Sequence, residues 1–140
     1  MYEYGCTVER VVDGDTIDVV IDLGFSCLFK SRVRLYGIDT PESRTRNKDE
    51  KARGKLASKF LSDAISSGVS VVLKTKLKDS RGKFGRVLAT VWVDGKNINQ
   101  SMIDNYHAAE YYGQSKEEIE AIHEKNRGML IELGVFVPNE

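Results

Sequence analysis

The first third of the chain alternates. In "VVDGDTIDVVI", residues 11–21, Ile17, Val19 and Ile21 share one face of an extended chain, while Asp18 and Val20 take the other. Two strands are predicted, over 5–12 and 15–23, with Asp13-Gly14 as the hairpin turn. "FKSRVRLYGI" (29–38) predicts a third strand and "VSVVLKTKL" (69–77) a fourth. "RVLATVWV" (86–93) predicts a fifth, closed by a second Asp-Gly turn at Asp94-Gly95. The period changes near residue 50. Ala52, Leu56, Phe60, Leu61, Ala64 and Ile65 recur at three- and four-residue spacing, which predicts a helix over 50–66. A short helix is expected from Asn97, with Ile98, Met102 and Ile103 inward, followed by "HAAEYYG" as an extended link. Ser115 with Glu118 three residues on marks the start of a last helix, and Gly128 suits its end. The tail "MLIELGVFVP" is too apolar to stand in water and is expected to dock on the body.

Five strands with a helix inserted between the third and fourth make an α+β chain that is mainly β. They predict a small closed barrel, the five-stranded OB-fold plan with three helices, a common nucleic-acid scaffold. An open antiparallel sheet with helices on one side fits the same pattern. The 140 residues suit one domain, 1–140, large enough for a real core. A monomer is expected. No apolar run is long enough to span a membrane. No basic segment followed by an apolar stretch opens the chain, so a cytoplasmic protein is expected; a mature exported form would read the same way. Cys6 and Cys27 are the only cysteines and His107 and His123 lie far apart, which argues against a structural zinc site. Both cysteines are expected on strands as small core residues.

The formal net charge is zero, which taken alone argues against a nucleic-acid partner, but the charges are unevenly spread. Residues 1–22 hold one basic side chain against six acidic, and 104–140 hold three against eight. Between them, 30–55 hold nine basic against four acidic, and 74–86 six against one. If the two basic segments meet in space, they form a basic face.

Asp15 heads the apolar face of the predicted second strand, an expensive place for a carboxylate. Asp39 follows the third strand, Pro41 stops regular pairing, and Glu42 comes three residues after Asp39. If strands two and three are antiparallel neighbours, the start of one lies beside the end of the other. Asp15, Asp39 and Glu42 then gather at one mouth of the barrel. Three such charges repel unless a cation joins them, and hard oxygen ligands without Cys or His point to Ca²⁺ or Mg²⁺. Arg34 and Arg86 are the guanidinium groups suited to gripping a phosphate. This set is suited to phosphodiester cleavage. Strict alternation puts Arg34 and Asp39, five residues apart, on opposite faces; a bulge or a break at Gly37 is needed to unite them. Each residue alone also has a plainer reading as turn, cap or surface side chain.

"VVDGDT", "RVRLYGIDTPE" and "GKFGRVLATVWVDG", in this order, closely resemble the staphylococcal nuclease family. The resemblance implies an OB-fold barrel and a Ca²⁺-dependent endonuclease acting on DNA and RNA that leaves 3′-phosphate ends. By matching residues it implies Asp15, Asp39 and the Thr40 carbonyl as Ca²⁺ ligands. Glu42 is the implied water-activating carboxylate, and Arg34 and Arg86 the implied phosphate clamps. Lys83 and Phe84 fall where the family contacts a neighbouring phosphate, and Tyr111 and Tyr112 near its substrate-facing tyrosines. Three departures stand out. The connection around "DLGFSCLFKS" is longer than usual, Phe84 replaces a tyrosine, and the chain is less basic than secreted members. A non-catalytic module that binds nucleic acid or peptide on the same fold is the alternative, although such modules usually lose one of the acidic or arginine residues.

Overall fold

In the computed structural model, residues 2–66, 70–75 and 87–138 are described. The elements in chain order are β1 (Tyr2–Asp13), β2 (Thr16–Asp22), β3 (Leu28–Leu35), β4 (Ile38–Asp39), α1 (Lys48–Ser66), β5 (Val71–Thr75), β6 (Val87–Val93), β7 (Lys96–Asn97), α2 (Ile98–Asp104), β8 (Ala109–Glu110) and α3 (Lys116–Glu132).

The main sheet runs β3-β2-β1-β5-β6-β7, and β3 also pairs in parallel with β6. That second pairing closes β1, β2, β3, β5 and β6 into a five-stranded barrel, as in the OB-fold plan, and rules out the open sheet. The inward positions read from alternation fill it. Ile17, Val19, Val33, Leu73 and Val91 are all fully buried.

The first turn sits one residue later than expected. Asp13 pairs with Thr16, so Gly14 and Asp15 form the turn and β2 opens at Thr16. Asp15 therefore does not occupy the apolar face of a strand at all. The third strand ends at Leu35, three residues early, because Gly37 takes φ +80° and turns the chain. Asp39 restarts pairing on the far side of that turn, in the two-residue strand β4 against β8, within the segment read as an extended link.

α1 covers one end of the barrel with the face its spacing predicts: Leu61 and Ile65 are buried, Phe60 and Ala64 pack against the core, and Gly54 and Ala57 are buried with them, so the helix sits close. Small residues decide this. A Cβ on Gly54 would lie 2.6 Å from the backbone of Glu42, and one on Gly14 2.8 Å from Ala57 Cβ. α1 can approach the turn and the Glu42 loop only because those methyl groups are absent.

α2 is fixed by Asn99, which is almost wholly buried. Its amide accepts from Val91 N at 3.0 Å and donates to Tyr36 O at 2.8 Å, tying the helix to the barrel and to the turn at Gly37. α3 begins at Ser115 as its cap signature predicts, with Ser115 Oγ accepting from Glu118 N at 3.2 Å. It runs through Gly128, which lies inside the helix, and the reversal comes at Gly134, φ +75°.

The tail docks only in part. Leu130 and Phe136 are buried, while Leu133, Val135 and Val137 face solvent. Cys6 lies on β1 against the core, and burial pushes its thiol up to about 11. Cys27 is not a core residue: it is exposed, in the turn between β2 and β3, and both thiols are free. Among the described residues no helix is long and apolar enough to cross a membrane.

Candidate active site

β2 and β3 are antiparallel and pair Thr16 with Arg34, so the start of one strand does lie beside the end of the other. Leu35 N donates to Asp15 O at 2.8 Å, which extends this ladder into the turn and fixes Asp15 next to Arg34. Arg34 Nη1 stands 3.1 Å from Asp15 Oδ2, and its Nη2 is 3.9 Å from Asp39 Oδ1. The break at Gly37 resolves the alternation problem and brings Asp39 round to this side. Asp15 is also held by Thr16, whose hydroxyl donates to its Oδ1 at 2.9 Å. The side chains of Asp15 and Arg34 are 14% and 19% exposed, low enough for the pairing to be felt but open to a ligand.

The loop after β4 carries the remaining residues. Thr40 and Pro41 are buried against the turn, and Glu42 is exposed. Ser43 Oγ donates to Asp13 Oδ1 at 2.7 Å, so Asp13 pins the Glu42 loop to the β1–β2 turn and is structural. Glu42 shares a cleft of about 700 Å³ with Asp39, Thr40, Tyr111 and His123. A second cleft, about 500 Å³, is lined by Arg34, Tyr36, Leu88, Tyr111 and Tyr112. Tyr111 stands between the two clefts. Tyr112 is 74% exposed and borders only the second.

Of the residues singled out from the sequence, Asp15, Arg34 and Asp39 form one cluster, with Thr40 adjacent and Glu42 in the neighbouring cleft. Arg86, Lys83 and Phe84 lie outside the described residues. So does most of the second basic segment.

Among the described residues, no three side chains of His, Cys, Asp or Glu converge closely enough to hold an ion alone. The donor chemistry still fits a hard cation. Two carboxylates share one guanidinium, the buried Thr40 backbone follows directly, and the open side can supply water. Such mixed carboxylate, carbonyl and water sets suit Ca²⁺, whose geometry is flexible.

Sequence reasoning missed His123. Its Nε2 lies 2.7 Å from Asp39 Oδ2, with the side chain 16% exposed. The available signal was helical spacing: Ile119, His123, Asn126 and Leu130 lie along one face of α3. Asn126 Nδ2 donates to Ala108 O at 3.1 Å, and Arg127 forks onto Asp49 of α1 at 3.0–3.1 Å. Hydrogen bonds from Arg127, then from Arg53, hold the Asp49 carboxyl below its ordinary value.

The model of the staphylococcal nuclease homologues matches residues 32–128. The chain is 36% identical over 97 residues to endonuclease YncB of Bacillus subtilis, covering 69% of this chain and 43% of that protein. It is 37% identical over 97 residues to the SPbeta prophage-derived endonuclease YokF of the same organism, covering 69% and 31%. It is 37% identical over 92 residues to the thermonuclease of Staphylococcus intermedius, covering 66% and 51%. The chain thus spans about half or less of the length of these three relatives. The matched segment contains the second half of the third strand with Arg34, then Asp39, the barrel-closing strand and most of α3. On this match, and on the closed barrel that carries it, the chain belongs to the family of staphylococcal nuclease homologues.

Proposed function

We propose that this chain is a metal-dependent endonuclease that hydrolyses phosphodiester bonds of DNA and RNA, using Ca²⁺ and leaving 3′-phosphate ends. The observation that carries the reading is the Asp15–Arg34–Asp39 cluster in a chain of this family, whose relatives named above are endonucleases and a thermonuclease.

Asp15, Asp39 and the Thr40 carbonyl would hold the cation, which when bound supplies Lewis-acid contact to a phosphate oxygen. Arg34 already stands between the two carboxylates, with one nitrogen toward each. Its planar fork lets it keep one carboxylate while it turns toward a phosphate oxygen and offsets the charge that grows there. Glu42 is exposed in the cleft beside Asp39, open to water, and accepts the proton of the attacking water. Arg86 meets the leaving 5′-oxygen. Lys83 and Phe84 contact the adjoining phosphate. Tyr111 and Tyr112 border the 500 Å³ cleft beside Arg34, where a neighbouring nucleotide lies.

Plasmid digestion with Ca²⁺, with EDTA in its place, and with Glu42→Gln tests this reading. The wild type cleaves with Ca²⁺ and stops with EDTA, and Glu42→Gln is slower by about 10²–10³-fold. Salt-dependent binding with no cleavage under any divalent cation would instead identify a binding module.

A further inference from the structure

Asp39 is held on both sides. Its Oδ1 looks toward Arg34 Nη2 and its Oδ2 meets His123 Nε2 at 2.7 Å. A carboxylate accepts only, so Nε2 is the donor in this contact. The two groups come from opposite directions, one from the barrel and one from α3. A carboxylate turns readily about its last torsion, and both oxygens are equivalent ligands until something distinguishes them. Here the imidazole does so: it engages Oδ2 and leaves Oδ1 turned toward Arg34.

We infer that His123 is a positioning residue, whose N–H fixes the Asp39 carboxylate in the orientation that receives the cation. This rests on the function proposed above. The placement of His123 supports the role. The imidazole lines the same cleft as Glu42, is largely covered, and reaches Asp39 from a residue 84 positions later in the chain. Groups that hydrogen-bond a metal ligand from behind typically contribute 10–100-fold in metal affinity, because the ligand is ordered before the ion arrives.

The plainer role is that His123 merely fastens α3. Two other contacts do that without touching Asp39: Arg127 to Asp49 and Asn126 to the Ala108 carbonyl. They supply the control. Calorimetric titration of the full chain with CaCl₂ compares wild type, His123→Ala, His123→Gln and Arg127→Met, with thermal unfolding run on each. His123→Ala is expected to bind Ca²⁺ about 10–100-fold more weakly. With CaCl₂ saturating for each variant, its KM for a labelled oligonucleotide should stay within about twofold, since His123 itself is not proposed to touch the nucleic acid. His123→Gln, which keeps an N–H donor at similar reach, recovers part of the affinity. Arg127→Met lowers Tm but binds Ca²⁺ as the wild type does.

The inference is overturned if His123→Ala binds Ca²⁺ like the wild type, if Arg127→Met loses as much affinity, or if His123→Gln recovers none. A wild type that binds no Ca²⁺ removes the proposed function itself and this role with it. A wild type that binds while His123→Ala is indistinguishable removes the role alone.

Discussion

Gly54 positions a loop through an atom it lacks. A Cβ there would stand 2.6 Å from Glu42 C and O, a contact with backbone that cannot swing aside. Ala is the better helix former by about 1 kcal/mol, whereas forcing a methyl into a packed contact costs about 1–3 kcal/mol. The clash should win. Gly54→Ala is expected to lower unfolding free energy by about 1–2 kcal/mol and to slow cleavage by displacing Glu42. Gly128 is the control. It also lies inside a helix, but nothing stands within 4 Å of its added Cβ. Gly128→Ala should stabilise by about 0.5–1 kcal/mol. Urea unfolding of the two variants should give opposite signs; the same sign in both would contradict the packing account.

His107 gives a second test at this scale. It is buried against Phe60, ring centroids 4.8 Å apart, and its Nδ1 has no hydrogen-bond partner among the described residues. Burial pushes the imidazole below its ordinary value of 6.5. The unfolded chain therefore binds a proton more readily than the folded one as pH falls below about 6.5. The stability of the neutral form is complete above that pH and is lost on acidification through the folded value. Asp49, held low by Arg127, adds its own loss only below its ordinary 3.8. Unfolding midpoints should start to fall near pH 6.5, and His107→Gln should flatten that first limb. A wild-type midpoint constant from pH 7 to 5 would contradict it.

Among the elements, strands were legible where the pattern was long. The run from Ile17 to Ile21 needs only period-two alternation, and the barrel follows once β3 meets β6. β4 and β8 were not, because two residues carry no period. The apolar face of α1 was legible from its spacing, but the close approach at Gly54 and Ala57 was not, because small residues add nothing to a hydrophobic period. The end of α3 was misread at Gly128 because a glycine within an exposed helix face looks like a terminator; the left-handed residue is Gly134. The site was half legible. Asp15, Arg34 and Asp39 were visible as chemistry, and their union depended on the turn at Gly37, which alternation demanded. His123 belongs to an element whose docking no local pattern announces. Leu61 tests the seat of α1 on the barrel. Its side chain is fully buried, so Leu61→Ala should cost about 2–5 kcal/mol in urea unfolding. A cost under about 1 kcal/mol would mean that α1 is loosely held.

At the scale of the whole molecule, the site stands where three layers meet: the mouth of the barrel, α1 beneath the Glu42 loop, and α3 across the cleft. Arg127 and Asp49 join α1 to α3, and His123 joins α3 to Asp39. The chain has no net charge, so if it acts on a polyanion as proposed, its unevenly spread basic residues would have to draw the substrate locally. Cleavage should then weaken steeply as salt rises, through substrate binding more than through turnover.

The most direct test is a crystal structure grown with Ca²⁺ and a nucleoside bisphosphate. One ion is expected, with oxygens of Asp15 and Asp39 at about 2.3–2.6 Å, and a phosphate of the nucleotide on Arg34. An ion bound elsewhere, or a phosphate seated away from that guanidinium, would contradict the account.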